Sequence, residues 1–332
     1  MMGQLIRSNQ TRGARVVKTI NITQDNQLET VDLPRGPHIE YVMVRVTGTI
    51  NITTTYTAVR SSAAYLYLSR ADWTLNSNVT LDSVSGGQIA QSYVTRRNVP
   101  PAVNPAGFGV GAQSFSATFV LDRALMDMKR PKDSMLKTDI GVSNNQLRLS
   151  FGKLSDMFTG AGVAAYTAVT ATIIVGDYQE AHDSKGNTPQ PAYYIKRNGQ
   201  RIALPASGSN QLIKLNTGNR LRLVSMRVLD GVTFEPSVAL LTRLRVVRAG
   251  DTRVDITVPE LQALNTGQYG YSLIGGQIVY DFANAGQLSG VMYSEFWPIP
   301  SSADTFLSVD TTASSVLEIL TLEGVDFEPA SA

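Results

Sequence analysis

The sequence predicts an all-β chain built as two tandem β-sandwiches, and three observations predict it. Short runs such as Ser116 to Leu121 and Leu147 to Phe151 alternate apolar and polar residues with the period of a half-buried strand. Turn formers gather between such runs, as in Pro34-Arg35-Gly36-Pro37, Asn144-Asn145 and Asn216-Thr217-Gly218-Asn219. The order of these segments in residues 20–180 then recurs in residues 200–328, which is the mark of an internal duplication.

The repeat can be followed element by element. Asn26-Gln27-Leu28 opens a short strand, and Asn210-Gln211-Leu212 opens its counterpart 184 residues later. A longer alternating strand follows in each copy, Ile39 to Val46 and Leu221 to Val228, with Arg45-Val46 falling on Arg227-Val228. Tyr65 to Asp72 reads as the next strand and answers Leu244 to Asp251, with Arg70 set on Arg248. A helix start comes next in both. Ser85-Gly86-Gly87-Gln88 and Thr257-Val258-Pro259-Glu260 each fit a capping box, in which a hydroxyl and a carboxamide or carboxylate satisfy free amides of the first turn. The helices are predicted over Gln88 to Tyr93 and over Pro259 to Leu264, the second with proline at its first position and Gly267 at its end. Phe119 to Asp122 then pairs with Ile278 to Asp281, Leu149-Ser150-Phe151 with Leu307-Ser308-Val309, and Thr170 to Tyr178 with Leu317 to Phe327. A rival register sets Asp133 to Leu136 on Asp304 to Leu307. The predicted organisation is a basic N-terminal arm over 1–19, a first sandwich over 20–180, a polar linker over 181–193 and a second sandwich over 194–332. Asn98 to Gly111 has no counterpart in the second copy and reads as an exposed excursion or a covering segment.

Composition narrows the function classes. A chain of 332 residues that is 43% hydrophobic can bury two cores of ordinary domain size. It has no cysteine, which removes disulfides, thiolate metal sites and a cysteine nucleophile. The two histidines, His38 and His182, lie in different segments and read as surface residues rather than metal ligands. Gly107-Phe108-Gly109-Val110-Gly111 precedes a strand, so it lacks the helix N-terminus of a phosphate-binding loop. Acid pairs such as Asp122 with Asp127 or Asp281 with Glu295 have the residue types of a glycosidase but read as exposed loop acids. Aromatic residues are not interleaved with basic ones as direct nucleic-acid binding would need. No cofactor is implied, and the residues point away from an enzyme. The uncharged stretch Met157 to Gly176 is rich in glycine and threonine and reads as a turn followed by a strand, not a lipid-buried helix; with no apolar leader evident, a soluble protein is expected.

Charge is unevenly placed. No lysine or arginine follows Arg253, so the last 79 residues sum to −10 while the first 253 sum to +12. One reading is two solvated faces; the other is that copies meet head to tail, basic half against acidic half.

Asn219 to Val228, Leu244 to Asp251, the helix from Pro259 to Leu264, and the closing strands Thr305 to Asp310 and Val316 to Gly324 carry a resemblance. In this order, and doubled, they resemble the double jelly-roll major capsid proteins of tailless icosahedral viruses with an internal membrane, the lineage of adenoviruses and tectiviruses. The second copy is most similar to the corticovirus type of bacteriophage protein; the long Asn98 to Gly111 segment is a departure. The resemblance implies two eight-stranded jelly rolls, a homotrimer forming a pseudo-hexagonal capsomer, and an icosahedral shell over a membrane. It implies neighbouring capsomers, penton proteins and minor capsid or membrane proteins as partners, with synthesis in the host cytoplasm and residence in the virion. Under it, Arg7, Arg12, Arg15 and Lys18 of the basic leader would face anionic lipid headgroups. Carbohydrate-binding or adhesive tandem sandwiches are the alternative; these present a flat cluster of exposed Trp or Tyr, whereas here Trp73 and Trp297 are the only tryptophans and Tyr65, Tyr67, Tyr193 and Tyr194 sit in or beside strands where burial is expected.

Overall fold

The computed structural model describes residues 11–97, 99–123, 135–138, 141–179, 193–216, 219–269, 273–282, 297–298 and 304–326. The first half contains β1 (Thr11–Ile22), β2 (Leu28–Asp32), β3 (His38–Thr54), β4 (Ala58–Val59), α1 (Ala63–Leu66), β5 (Leu68–Leu75), β6 (Val79–Val84), α2 (Gly86–Arg97), β7 (Val103–Asn104), β8 (Gly111–Asp122), β9 (Asn145–Phe151), β10 (Phe158–Thr159) and β11 (Val163–Gln179). The second contains β12 (Tyr193–Leu204), β13 (Gly208–Lys214), β14 (Arg220–Asp230), β15 (Leu241–Arg248), β16 (Asp251–Thr257), α3 (Val258–Tyr269), β17 (Gln277–Asp281), β18 (Trp297–Pro298), β19 (Thr305–Thr311) and β20 (Ser315–Asp326).

Leaving aside the two-residue strands, each half is an eight-stranded jelly roll. The first roll packs a β1-β11-β3-β8 sheet on a β2-β9-β5-β6 sheet, and the second a β12-β20-β14-β17 sheet on a β13-β19-β15-β16 sheet. Strand for strand the order is the same, and in both the helix joins the fifth strand to the sixth. Registers agree as well. Tyr41 lies opposite Asp122 and Leu223 opposite Asp281, while Leu28 faces Ser150 and Leu212 faces Ser308. Asn26, just before β2, and Asn210, at the irregularity in β13, precede equivalent leucines by two residues and both take φ 56°, a left-handed conformation that Asn tolerates better than most side chains.

Alternation builds a core in each roll. Trp73, Phe119, Phe151, Val44 and Ile173 fill the first, and Val246, Leu307, Val309, Val228 and Leu317 fill the second. The Trp73 indole N–H donates to Asn145 Oδ1 at 2.7 Å, so the largest core side chain buries no unpaired donor.

Several local expectations change. Tyr65-Leu66 is the end of the helical turn α1 rather than strand, because Tyr67 and Leu68 are both buried and so cannot alternate across a sheet. The ladders set Ala71 opposite Leu149 and Val246 opposite Leu307, so the Arg70-on-Arg248 register is three residues out in that strand. The rival register fails: Leu136 makes an isolated bridge to Ile39 and belongs to no long strand. Both helices are longer than expected, and α3 runs two residues past Gly267. In the segment from Val99 to Gly111, β7 adds to the edge of β8 and Ala106 is buried, while Val99, Phe108 and Val110 are exposed. The basic arm expected over 1–19 is already strand from Thr11, where β1 pairs along β11. The linker over 181–193 lies outside the described residues except for Tyr193, which begins β12.

Candidate functional site: the seam joining the two rolls

The rolls join through sheet and helix together. β6 of the first roll pairs in parallel with β12 of the second, Arg197 opposite Asp82 and Asn198 opposite Ser83, which merges one sheet from each roll into a continuous layer. Parallel pairing buries both strands, and the side chains at the join are charged. Asp82 accepts from Arg197 Nη1 at 3.2 Å and from Arg123 Nη2; Arg123 also donates to the Ile195 carbonyl at 2.6 Å and stands 4.2 Å over the Trp73 ring. Arg197 donates in addition to Ser92 Oγ at 3.0 Å and to the Asp122 carbonyl. Asp122 in turn accepts from Arg97 at 3.2 and 3.3 Å. Burial is the main influence on these cations: it lowers Arg96 to about 9 and Arg123 to about 10, opposed by the Asp122 and Asp82 carboxylates. The carboxylates therefore hold a cationic cluster that would otherwise not tolerate a dry interior.

Helix α2 completes the seam. The Ser85 N–H donates to Gln88 Oε1 at 2.8 Å and the Gln88 N–H to Ser85 Oγ at 3.3 Å, closing the expected capping box. The same Gln88 sends its Nε2 to the Gln200 and Ile319 carbonyls, each at 3.0 Å, so one side chain caps its own helix and ties it to the other roll. One turn on, Gln91 Nε2 donates to the Glu318 carbonyl at 3.3 Å and Gln91 Oε1 accepts from Ser225 Oγ at 2.9 Å. Gln277 Nε2 donates to Ser225 Oγ at 2.9 Å, and Arg227 pairs with Glu318 at 3.4 Å beneath the helix start. Close approach there depends on glycine: a Cβ on Gly87 would sit 2.8 Å from Glu318 Oε2. In α3 the capping contact is local, the Thr257 N–H donating to Glu260 Oε2 at 2.9 Å.

The residues singled out from sequence fall as follows. Arg7 lies outside the described residues, and Arg12 lies on β1 opposite Tyr178. Arg15 pairs with Asp177 at 3.1 Å and Lys18 with Glu29 at 3.2 Å, so these two are strand residues with acidic neighbours. His38 is buried, not on the surface; His182 is outside the described residues. Asp122 and Asp281 end equivalent strands and are buried rather than exposed, Asp281 accepting from the Tyr269 hydroxyl at 3.4 Å; Asp127 and Glu295 are outside the described residues. Trp73 and Tyr67 are wholly buried and Tyr65 and Tyr194 half-buried, so none of these four forms an exposed aromatic platform. Several of the acids after Arg253 have basic partners nearby. Asp255 pairs with Arg243, Asp304 with Lys214, Asp310 with Arg245 and Glu318 with Arg227, each within its own roll. Among the described residues no helix is long and apolar enough to cross a membrane, and no three His, Cys, Asp or Glu side chains gather as a metal site would need.

The seam residues Asp82, Arg123 and Arg197 carry no signature in sequence. Asp82 and Arg197 are 115 positions apart, and each sits in an otherwise ordinary strand. Gln88 alone was legible, through its capping box.

No family model matches this chain, and no curated protein matches its sequence. Solved structures do share its fold. The MCP of Sulfolobus Turreted Icosahedral Virus superimposes with a TM-score of 0.71 at 14% identity, covering 95% of this chain and 97% of that one. The major capsid protein P2 of bacteriophage PM2 gives 0.62 at 13% identity over 97% of this chain and 100% of the other. The capsid of the virus PBCV-1 gives 0.64 at 11% identity over 96% and 94%. From end to end, this chain has the double jelly-roll fold seen in viral major capsid proteins.

Proposed function

We propose that this chain is the major capsid protein of an icosahedral virus, a structural subunit and not an enzyme, residing in the virion after synthesis in the host cytoplasm. Three copies would form a pseudo-hexameric capsomer, and capsomers would tile a shell over an internal membrane beside penton and minor capsid or membrane proteins. The observation that carries this reading is the seam. Two rolls of identical strand order are locked by a buried charge cluster and a sandwiched helix into one building block. A shell subunit requires that stiffness, since every interface it makes is repeated across the assembly. The cleft at the seam's mouth bears the carboxylates of Glu318 and Asp156, the first paired with Arg227 and the second accepting from the Lys153 N–H at 3.1 Å.

Light scattering of the purified chain should give three chain masses, and electron microscopy should show hexagonal capsomers or shells; a discrete monomer that binds an oligosaccharide would replace this reading with the adhesive one. The basic leader is proposed to face lipid through Arg7, Arg12, Arg15 and Lys18, each adding roughly 1 kcal/mol near anionic headgroups, less where an acid already pairs with it. Replacing Arg7, Arg12, Arg15 and Lys18 together by glutamine should weaken binding to anionic vesicles, and unchanged binding would remove this role.

A further inference from the structure

We infer that the cleft at the mouth of the seam binds a small sugar carrying an oxyanion, a phosphate or a carboxylate, through Arg201 of the second roll and Arg60 of the first. The site lies within one chain, so it goes beyond the self-assembly reading and does not depend on it.

Two cations of the cleft have no acid. Arg60 Nε donates to the Phe158 carbonyl at 2.9 Å and its Nη1 to the Thr233 carbonyl, so neutral oxygens fix this guanidinium and leave its charge intact. Among the described residues no carboxylate lies within ion-pair distance of Arg60 or Arg201, and the Arg201 guanidinium rests only on the Phe234 ring, 5.5 Å from its centre. Arg60 stands 5.6 Å from the same centre. Each roll thus sends one unneutralised cation to a shared aromatic ring.

The acids nearby are already engaged. Glu318 pairs with Arg227 at 3.4 Å, and Asp156 accepts from the Lys153 N–H at 3.1 Å. Asp72 takes up the charge of Arg70 at 2.9 Å, and Glu235 accepts from the Ser61 hydroxyl and, at 3.4 Å, from its N–H. The positive field of the cleft is therefore centred on Arg60 and Arg201.

The ring that gathers them is held in an unfavourable backbone. Phe234 has φ 59°, a left-handed conformation that aromatic side chains rarely take. The turn before it imposes that conformation: the Asp230 carboxylate accepts from the Val232 and Thr233 N–H groups at 2.9 and 2.7 Å, and the Phe234 N–H donates to the Asp230 carbonyl at 3.0 Å. Ser61 and Arg60 then fasten this loop to the first roll through Glu235 and the Thr233 carbonyl. Strain secured by several bonds is a property of ligand clamps. It sets the two guanidiniums in place before any ligand arrives, which lowers the ordering cost of binding.

Chemistry and size define the ligand. A fixed guanidinium without a carboxylate presents a fork of N–H donors that matches two oxygens of a phosphate or carboxylate. The cleft encloses about 470 Å³, a volume for a small organic molecule rather than a bare ion. Phe234 and Leu66 offer apolar contact to a sugar ring, and Ser69 and Ser83 bring hydroxyl-bearing side chains to the same wall.

The test uses the full chain, titrated by calorimetry with glucose phosphate and with sialyllactose, and with glucose and lactose as the neutral probes. At least one charged sugar should bind once per chain, more tightly than its neutral counterpart, and more weakly as salt is raised. Tighter binding of glucose phosphate identifies a phosphate ester as the ligand, and tighter binding of sialyllactose a glycan carboxylate. Arg201→Gln should weaken that binding by about tenfold or more and leave the urea midpoint of the free chain unchanged. Should this variant fail to fold, wild-type protein decides: modification of Arg201 by phenylglyoxal, read by peptide mass, should fall when the charged sugar is present. No preference for charged over neutral sugars, wild-type affinity in Arg201→Gln, or equal modification of Arg201 with and without the sugar overturns the inference. None of these results bears on the mass of the assembled chain, so the shell reading stands or falls separately.

Discussion

Arg227 and Arg45 occupy the same place in the two rolls, opposite Gln277 and Thr118 respectively, yet live in different worlds. Arg227 is 2% exposed and paired with Glu318 under α2, while Arg45 is exposed on the outer face of its strand. The lesson is that duplication copies a fold but not its environment. A residue type can persist at one position while the neighbouring roll decides whether it is a buried structural ion or a surface charge.

Substitutions along the seam break or sharpen this comparison. The largest effect is expected at the buried charges. Asp82→Asn leaves Arg123 and Arg197 without their shared carboxylate, and Arg227→Ala leaves Glu318 buried and unpaired. Each should cost about 3–5 kcal/mol in urea denaturation. Arg45→Ala in dissociated protein should stay within about 0.5 kcal/mol. Equal losses at Arg227 and Arg45 would erase the distinction between the rolls.

Gln88→Ala comes next. It removes a helix cap and strips the donor from two carbonyls of the other roll, a loss of roughly 2–3 kcal/mol. Glu260→Ala removes bonds within its own helix start alone and should lower the urea midpoint less than Gln88→Ala does. If the two substitutions shift the midpoint alike, Gln88 does not tie the rolls.

Asp310→Asn should have the smallest effect. The bond from Arg245 holds the Asp310 carboxyl below its usual range, so its folded-state affinity for protons is less than that of the unfolded chain. Stability from this group is fully present above the unfolded value of about 4 and is lost as pH falls through the lower folded value. Part-exposed, the pair is worth roughly 0.5 kcal/mol. Wild type and Asp310→Asn should therefore differ most at neutral pH and converge in strong acid; a difference that grows in acid would reverse the assignment.

Much of the fold was legible because each roll repeats local rules. Asn26 and Asn210 stand at equivalent positions with the same left-handed φ, Ser85 and Gln88 close the box that their spacing announces, and the strands ending at Asp122 and Asp281 keep one register. The strand from Leu68 was misread where two adjacent residues, Tyr67 and Leu68, are both buried and where bulges shift its pairing with β9. Of the seam only the Gln88 cap was legible, and not its reach to the other roll. The seam's bonds join residues far apart in the chain, such as Gln91 with Ser225, and a buried arginine in a strand looks like an exposed one until its partner is known. In the acidic last 79 residues, Asp310 and Glu318 find their arginines inside the roll, pairings that the chain order does not display.

Amide exchange of the two helices in dissociated protein tests the central claim most directly. α2 is tied to the other roll through Gln88 and Gln91, whereas the capping contact of α3 is local. Amides of α2 should therefore exchange more slowly than those of α3, and Gln88→Ala should narrow the gap. Exchange in α2 as fast as in α3, or a gap that Gln88→Ala leaves unchanged, would contradict the account.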